Sequence, residues 1–351
     1  MFDFLNDDGF GVMRLSRLIQ TLPYVPARIN ELGLFDTDEV DTTMVAIEFD
    51  GEKLIIIPPT PRGGPGTTIG STHPKIVPLV IPHFEINDAL KAEALQNKRE
   101  PGTEGQLRTV QRAIMKKLIK HRRSVDLTEE HARMGALKGV VTYADGSTLD
   151  LYDTFGIAAP AAVPLAFATD DDTGRIRTLL SGVSRTVIDA LGGQGYTELR
   201  AFCGNTFFDS LLGHPEVRNT YKNTSQAEFL RSSYVGPNRG IYASFEYGGI
   251  IFENYRGVSA GIIENADKIE DAGGSVAQIG ASECRVFPLG VPDLFTTTYA
   301  PADYMETVNT IGERIYSKQK MQKNDKGMDL DTQTNQLNIC TRPEVLIELQ
   351  A

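Results

Sequence analysis

Cysteine is scarce in this sequence. The three cysteines, Cys203, Cys284 and Cys340, are odd in number, far apart and free of any Cys-x-x-Cys pair. This pattern suggests neither a disulfide framework nor a cysteine-based zinc site. Free cysteines are among the residues most often found inside proteins, so the pattern predicts buried thiols.

Long apolar runs and an excess of positive charge are also missing. No segment approaches the roughly 18 apolar residues of a membrane span, so we expect no membrane partner. A net charge of −11 disfavours a protein whose main task is to bind phosphate backbones. The N-terminus has no basic region ahead of an apolar stretch, so we expect no secretory signal and synthesis in a cytoplasm.

Motifs for cofactors and metals are absent as well. The glycine-rich segment 63–70 lacks the Gly-Lys-Ser/Thr ending of a phosphate loop and is one residue off the dinucleotide fingerprint. The acidic run 170–172 lacks the glycine and the distant glutamate of a calcium loop. The five histidines form no His-x-x-x-His pair. We therefore expect no cofactor, no metal site and no catalytic residue.

Proline, in contrast, is concentrated in one segment, because seven of the 18 prolines lie between Pro58 and Pro82. β-branched runs flank this segment, and the Asp-Gly pair at 50–51 between two of them predicts a hairpin with a type I′ turn. Pro58, Pro78 and Pro82 cannot donate to a strand ladder, which excludes these strands from a sheet centre. A ribbon of two or three strands is marginal alone in water, so it needs a covering surface. Another copy of the chain is a candidate for that surface.

The rest of the chain mixes helices with antiparallel hairpins, which predicts an α+β protein with at least two lobes. A capping box at 103–106 and an apolar stripe predict a long helix to about residue 138, with a break near 126–128 as an alternative. Further predicted elements are a short helix at 13–20, an Asp-Gly hairpin at 140–152, a helix at 175–191, a strand at 197–203, a helix capped by Asn205, helical structure at 215–232, a hairpin around Gly248-Gly249, and strands at 282–287, 313–320, 336–340 and 344–349.

Two features leave other function classes open. The long helix carries the only concentrated positive charge, so a nucleic-acid-binding module is an alternative to a merely solvated face. Cys203 ends a predicted strand just before a helix start, a position where a nucleophile can sit, so a cytoplasmic Cys-dependent enzyme is a further alternative. Neither feature is specific by itself.

The order of the elements resembles the major capsid proteins of tailed phages, and more narrowly the lambda-type capsid protein E family. The motifs that carry this resemblance are Val40-Asp-Thr-Thr43, Arg62-Gly-Gly64, Pro82-His-Phe-Glu-Ile-Asn87, Gly135-Ala-Leu-Lys-Gly139 and Ile339-Cys-Thr-Arg-Pro-Glu-Val345. Each motif is weak alone, but together they span nearly the whole chain. The resemblance implies an α+β protein with the Hong Kong 97 type fold.

The resemblance also implies a division of the chain into five parts. These are an N-terminal arm at 1–39, an E-loop β-ribbon at 40–86, a P-domain at 87–174 with a long spine helix at about 103–138, the hairpin at 140–152 and a connection, an A-domain at 175–310, and C-terminal strands at 311–351 that return to the P-domain.

A member of this family is a structural head protein and not an enzyme. The resemblance implies self-assembly into hexamers and pentamers of an icosahedral shell that encloses double-stranded DNA. The expected partners are further copies of the chain, a scaffolding protein, a portal and often a decoration protein. Assembly in the cytoplasm of a bacterial host would place the product in the virion capsid. Other members crosslink a lysine to an asparagine, but no such pair can be assigned here, so no crosslink is predicted.

Two sets of residues are the candidate sites. Burial of apolar ribbon surface against a neighbour would stabilise the shell, and the residues expected at this contact are Pro58, Pro59, Arg62, Gly63, Gly64, Pro65, Ile76, Leu79 and Ile81. Basic residues of the long helix are expected to face the interior and contact DNA weakly. They are Arg108, Arg112, Lys116, Lys120 and Arg123.

Overall fold

A computed structural model describes residues 16, 19, 28–49, 75–96, 110–168, 173–222, 244–255 and 279–351. Within these ranges the helices are α1 (Arg28–Glu31), α2 (Ala92–Leu95), α3 (Val110–Lys138), α4 (Leu151–Phe155), α5 (Arg175–Ala190), α6 (Asn205–Gly213) and α7 (Pro215–Lys222). None of the described helices combines the length and the apolar character that crossing a membrane requires.

The strands of the described residues are β1 (Asp36–Glu39), β2 (Met44–Phe49), β3 (Lys75–Val80), β4 (His83–Lys91), β5 (Val140–Thr142), β6 (Thr148–Asp150), β7 (Val163–Pro164), β8 (Glu198–Cys203), β9 (Ser244–Tyr247), β10 (Ile250–Asn254), β11 (Glu283–Leu289), β12 (Phe295–Tyr299), β13 (Tyr316–Met321), β14 (Gly327–Cys340) and β15 (Ile347–Gln350). They form a five-stranded sheet in the order β1-β12-β14-β13 with β4 also on β14, a six-stranded sheet in the order β7-β15-β11-β8-β10-β9, and the pairs β2-β3 and β5-β6. The α+β prediction is confirmed.

The first of two compact units contains the described residues of 1–47, 78–131 and 296–338. Its core lies between α3 and the five-stranded sheet and consists of Ile19, Leu90, Ala113, Ile114, Leu118, Val125, Ile315, Met328 and Leu330. Strand β14 is central, since β4 and β13 both pair with it in antiparallel fashion. The apolar stripe predicted on the helix therefore marks the face that packs on the sheet.

The second unit contains the described residues of 48–77, 132–295 and 339–351. Aromatic rings fill much of its core, and Phe202 lies 4.9 Å from Phe287 and 5.0 Å from Tyr255 between ring centroids. Helix α5 buries one face, formed by Ile176, Leu180, Val183 and Val187. The predicted helix at 175–191 is thus confirmed within one residue.

Helix α3 runs without a break from Val110 to Lys138, so the alternative of an interruption near 126–128 is wrong. Its predicted start at 103–106 lies outside the described residues. The helix ends at Gly139, whose φ of +81° is disfavoured for residues with a side chain. A Cβ atom there would also lie 2.2 Å from the ring of Tyr152. Both constraints explain why glycine follows the last helical turn.

The hairpins show two different turns. Gly248 and Gly249, between β9 and β10, both have positive φ, as a two-residue type I′ turn requires. In the β5–β6 hairpin only Gly146 of the Asp-Gly pair at 145–146 has positive φ. That turn is therefore not type I′, and the Asp145 carboxylate instead accepts hydrogen bonds from the backbone N and the hydroxyl of Ser147. The Asp-Gly pair at 50–51 lies outside the described residues.

Several element predictions need correction. Asn205 is the first residue of α6 and not its cap, because Gly204 occupies the capping position and makes no side-chain bond. The strand predicted at 336–340 is only the end of β14, which begins at Gly327. The segment at 344–349 divides into a 3-10 turn, Pro343–Val345, and β15. Of the helix predicted at 13–20, residues 16 and 19 are described and both are helical.

Candidate functional site

The predicted ribbon is rooted in the five-stranded sheet through both of its stems. Strand β1 pairs in parallel with β12, and β4 pairs antiparallel with β14 along its full length. Between these stems the chain forms a separate two-stranded sheet of β2 and β3. Pro78 lies in this two-stranded sheet, so the prediction that it stays out of a sheet centre is confirmed.

Backbone hydrogen bonds fix the base of the ribbon. The Ile81 N–H donates to the Thr43 carbonyl at 3.0 Å and closes the base. The Val40 N–H donates to the Tyr299 carbonyl at 3.0 Å, and the Gly312 N–H donates to the Val40 carbonyl at 2.9 Å. The base therefore belongs to the folded first unit.

The arms of the ribbon expose large apolar side chains. Met44 is 50% exposed, Ile76 58% and Val80 66%. Of the residues expected at the subunit contact, Ile76 is thus open to solvent, whereas Leu79 and Ile81 are buried at 8% and 6%. The other residues of that expected contact lie outside the described part of the chain, and they are Pro58, Pro59, Arg62, Gly63, Gly64 and Pro65.

A groove of about 590 Å³ opens beside the base of the ribbon. His83 lines it, and its Nδ1 lies 2.6 Å from the Asn335 side-chain oxygen, an acceptor that assigns the proton to Nδ1. The full lining is residues 41–43, Ile81, His83, 300–303, 307–309 and Asn335. All of these residues belong to the first unit.

The loop at 300–312, beside the same groove, exposes a second set of apolar side chains. Met305 is 91% exposed, Val308 58% and Ile311 63%. The loop is braced from within, because the buried Thr307 hydroxyl lies 2.7 Å from the Ala302 carbonyl that accepts its hydrogen bond. Sequence reasoning missed this surface, although apolar residues spaced by three in a segment rich in Thr and Asn were a usable signal.

The basic residues of α3 divide into an exposed face and a buried one. Arg112, Lys116, Lys120 and Arg123 are all exposed and recur at spacings of three and four, so they share one side of the helix. Arg108, expected in the same set, lies outside the described residues. The exposed face is therefore a row of four cations.

The neighbouring basic residues of α3 contact side chains within the same subunit. Lys117 donates to both Asp88 carboxylate oxygens at 2.6 Å. Burial opposes ionisation of Asp88, but the Lys117 ammonium outweighs it and lowers the pKa of that carboxyl. Burial lowers the pKa of His121, whose Nδ1 lies 2.9 Å from the Thr332 hydroxyl. These residues attach the helix to β4 and β14.

A buried charge network follows further along α3. The Arg314 guanidinium lies 2.6 Å from both Asp126 and Glu129, and the Tyr299 hydroxyl donates to Glu129 at 3.0 Å. Burial alone would lower the pKa of Arg314, but the two carboxylates, Glu129 first, raise it above its usual value. Arg122, also buried, donates to the Ile19 carbonyl at 2.6 Å.

Cys203 does not have the surroundings of an accessible nucleophile. Its side chain is 0% exposed, and its Sγ lies 3.2 Å from the Sγ of Cys284. Within the described residues, no group of three or more His, Cys, Asp or Glu side chains could hold a metal ion. The acidic run at 170–172 and His73 lie outside the described part.

Known proteins match the chain over nearly its whole length. The family described as phage major capsid protein E matches residues 11–351. The major capsid protein of Salmonella phage Felix O1 (isolate Felix O1-VT1) is 25% identical over 361 residues, which cover 97% of this chain and 96% of the relative. The major capsid protein of Pseudomonas phage KPP10 is 26% identical over 360 residues, which cover 98% and 97%.

A solved structure shares the fold. The crystal structure described as a capsid protein from a prophage of E. coli CFT073 matches with a TM-score of 0.55 at 12% sequence identity, and the match covers 93% of each chain. The fold is therefore that of a Hong Kong 97 type capsid subunit, as the sequence predicted. The chain belongs to the phage major capsid protein E family. It is a major capsid protein, a structural subunit of the phage capsid shell and hence of the virion.

Proposed function

We propose that this subunit assembles into hexamers and pentamers of an icosahedral head and that residues 40–86 act as the E-loop, which docks on a neighbouring subunit. Residues 87–174 with 311–351 form the P-domain, 175–310 form the A-domain, and 1–39 form the N-terminal arm. The subunit has a structural role in the shell and does not catalyse a reaction, and the complete burial of the Cys203 thiol supports this.

The observation that carries the proposal is the contrast between the base of the ribbon and its arms. The base is hydrogen-bonded into the five-stranded sheet, while Met44, Ile76 and Val80 on the arms are at least half exposed. A two-stranded ribbon gains little stability by itself. Burial of one large aliphatic side chain contributes roughly 1.5–3 kcal/mol. A neighbouring subunit that covered these side chains would therefore stabilise both the ribbon and the shell.

The test is a pair of substitutions on the arm. Ile76→Asn and Val80→Asn should leave the unfolding midpoint of the isolated subunit unchanged, because both side chains already contact water, but should reduce the yield of closed shells. The matched control is Ile188→Asn on α5, since Ile188 is 45% exposed and lies away from the ribbon in sequence. Sedimentation velocity and electron microscopy measure the yield. Equal shell yields for all three variants would contradict the docking proposal.

We also propose that the capsid assembles in the host cytoplasm with a scaffolding protein and a portal, and that it can bind a decoration protein. Packaged double-stranded DNA would contact the exposed face of Arg112, Lys116, Lys120 and Arg123. A net charge of −11 limits tight adhesion elsewhere, so this row would make weak interior contacts.

The DNA contact can be tested by salt dependence. The affinity for duplex DNA falls with salt, and each phosphate contact adds about 0.9 to the steepness of log affinity plotted against log salt concentration. The double substitution Lys116→Gln with Lys120→Gln should therefore reduce the steepness of this salt dependence by about 2. Exposed lysines elsewhere in the first unit, Lys91→Gln with Lys320→Gln, are the control pair and should leave it unchanged. The same slope for both pairs would show that the α3 row does not contact DNA.

A further inference from the structure

Two of the three thiols of the chain lie opposite each other on neighbouring strands of the six-stranded sheet. Cys203 is the last residue of β8 and Cys284 is the second residue of β11, and the antiparallel register pairs them directly. Their sulfur atoms lie 3.2 Å apart. Both side chains are 0% exposed.

This arrangement meets the geometric demands of a disulfide bond. Directly opposed residues of antiparallel strands have Cα atoms about 4.5–5.5 Å apart, inside the range of about 4.4–6.8 Å that disulfides span. A bonded pair of sulfurs is about 2.04 Å apart. From 3.2 Å, the two sulfur atoms need to approach by only roughly 1.2 Å to form the bond.

The surrounding backbone holds the two cysteines at this separation. The Cys203 carbonyl accepts a hydrogen bond from the Tyr255 N–H at 3.0 Å, and the Gly204 N–H donates to the Glu283 carbonyl at 2.9 Å. Strands β8 and β11 stay paired over six positions, beginning at this pair. Because each strand is also paired on its other side, with β10 and β15 respectively, the two thiols cannot easily separate.

We propose that Cys203 and Cys284 are a latent disulfide site that a peroxide-class oxidant closes within one subunit. In the balanced reaction, two thiols and one hydrogen peroxide give one disulfide and two water molecules. The S–S bond forms while the O–O bond breaks, the sulfurs are oxidised, and both thiol protons end in the water. A reducing cytoplasm keeps the thiols free during synthesis, and exposure to oxidant afterwards permits closure.

Cys340 is the internal control for this site. Its side chain is also 0% exposed, but within the described residues its sulfur makes no short contact with another sulfur atom. Burial raises the pKa of Cys284, with Cys203 adding to the effect, and burial also raises the pKa of Cys340. Thiolates are therefore scarce at both positions, so burial and thiol acidity do not distinguish Cys284 from Cys340. The two residues differ because Cys284 has a second thiol, Cys203, opposite it.

The experiment uses the full-length chain, purified in reductant, exchanged into buffer and treated with hydrogen peroxide. Remaining thiols are alkylated under denaturing conditions before peptide mapping without reduction. We expect the intact mass to fall by two hydrogens, a crosslinked peptide pair containing Cys203 and Cys284, and full alkylation of Cys340. Failure of the pair to crosslink while the chain remains folded, or a crosslink that involves Cys340, would overturn the proposal.

Variants distinguish the site from general oxidation. Cys340→Ser should crosslink as the wild type does, whereas Cys284→Ser should give no intramolecular crosslink. The oxidised wild type should also show a higher Tm than the reduced form, because a crosslink over a long loop restricts the unfolded chain. Peroxide should leave the Tm of Cys284→Ser unchanged. The same increase in Tm for the wild type and for Cys284→Ser would contradict a specific bond between Cys203 and Cys284. All of these measurements are independent of shell assembly.

Discussion

Replacement of Arg314 by Met tests the buried charge network most severely. The Asp126 and Glu129 side chains are 1% and 3% exposed, and Arg314 lies within 2.6 Å of both. Removing the cation leaves two carboxylates in a site that water hardly reaches. Breaking a buried ion pair by removal of one partner costs about 3–5 kcal/mol.

The lower end of that range applies here for two reasons. The Arg314 side chain is 22% exposed, so water partly screens its charge. Arg122 also lies 3.3 Å from Asp126 and continues to compensate that carboxylate. We therefore expect Arg314→Met to lower the free energy of unfolding by roughly 3 kcal/mol, measured by equilibrium urea unfolding of the isolated subunit.

Two further variants separate charge from packing. Arg314→Lys keeps the charge but loses the planar fork that reaches both carboxylates, so an intermediate loss is expected. Adding Glu129→Gln to Arg314→Met removes one of the uncompensated charges and should recover part of the stability. If Arg314→Met stays within about 1 kcal/mol of the wild type, as for an ordinary surface pair, the network does not stabilise the first unit as argued.

Three other substitutions test single sites. Gly139→Ala should destabilise by more than 1 kcal/mol, roughly, because its positive φ and the Tyr152 ring both exclude a Cβ. Gly182→Ala, in the middle of α5 with open space around it, should stabilise the protein by about 0.5–1 kcal/mol. Chemical denaturation measures both changes, and a change of the free energy of unfolding in the same direction for the two variants would refute this reasoning. Burial disfavours the charge of Glu283, but Lys138 and further hydrogen bonds lower its pKa to about 2. The ionised Glu283 therefore stabilises the fold by roughly 3 kcal/mol above pH 4.5, and this stabilisation is lost as the pH falls to about 2. The difference in free energy of unfolding between the wild type and Glu283→Gln should decrease over that pH range. A difference that stays constant would contradict the lowered pKa of Glu283.

Local patterns were sufficient for most helices and hairpins of the described residues. The stripe of Ile114, Leu118 and Val125 predicted which face of α3 packs on the sheet, since periodic apolar residues mark a buried face. The Gly248-Gly249 pair likewise indicated its hairpin, because the turn depends on those two residues alone. Such elements follow from interactions within a few residues.

Strand β14 was largely missed for a physical reason. Its sequence is polar, although Thr332, Gln333 and Thr334 are buried in the folded subunit. Their side chains bind groups that are distant in the sequence, as when Gln333 accepts a hydrogen bond from the Asp303 N–H at 3.0 Å and the Thr332 hydroxyl lies 2.9 Å from His121 Nδ1. No local pattern distinguishes such a strand from a polar loop, because the partners lie far away in the sequence, 30 positions for Gln333 and 211 for Thr332.

The candidate sites show the same limit. Proline content indicated where the ribbon lies, but which of its apolar residues face solvent depends on the sheet in which the base is anchored. Ile76 is exposed while Leu79 and Ile81 are buried, a division that the β-branched and proline-rich sequence did not assign. The opposition of Cys203 and Cys284 could not be foreseen either, because the strand register that creates it joins residues 81 positions apart.

The most direct test of the central claim deletes residues 58–73, the segment expected at the tip of the ribbon, from the full-length chain. Deletion of residues 58–73 should leave a folded subunit with the circular dichroism spectrum and unfolding midpoint of the wild type, but electron microscopy should find no closed shells where the wild type forms them. A deletion variant that unfolds, or one that builds shells at the wild-type yield, would contradict the account of a ribbon that completes the surface of a neighbouring subunit.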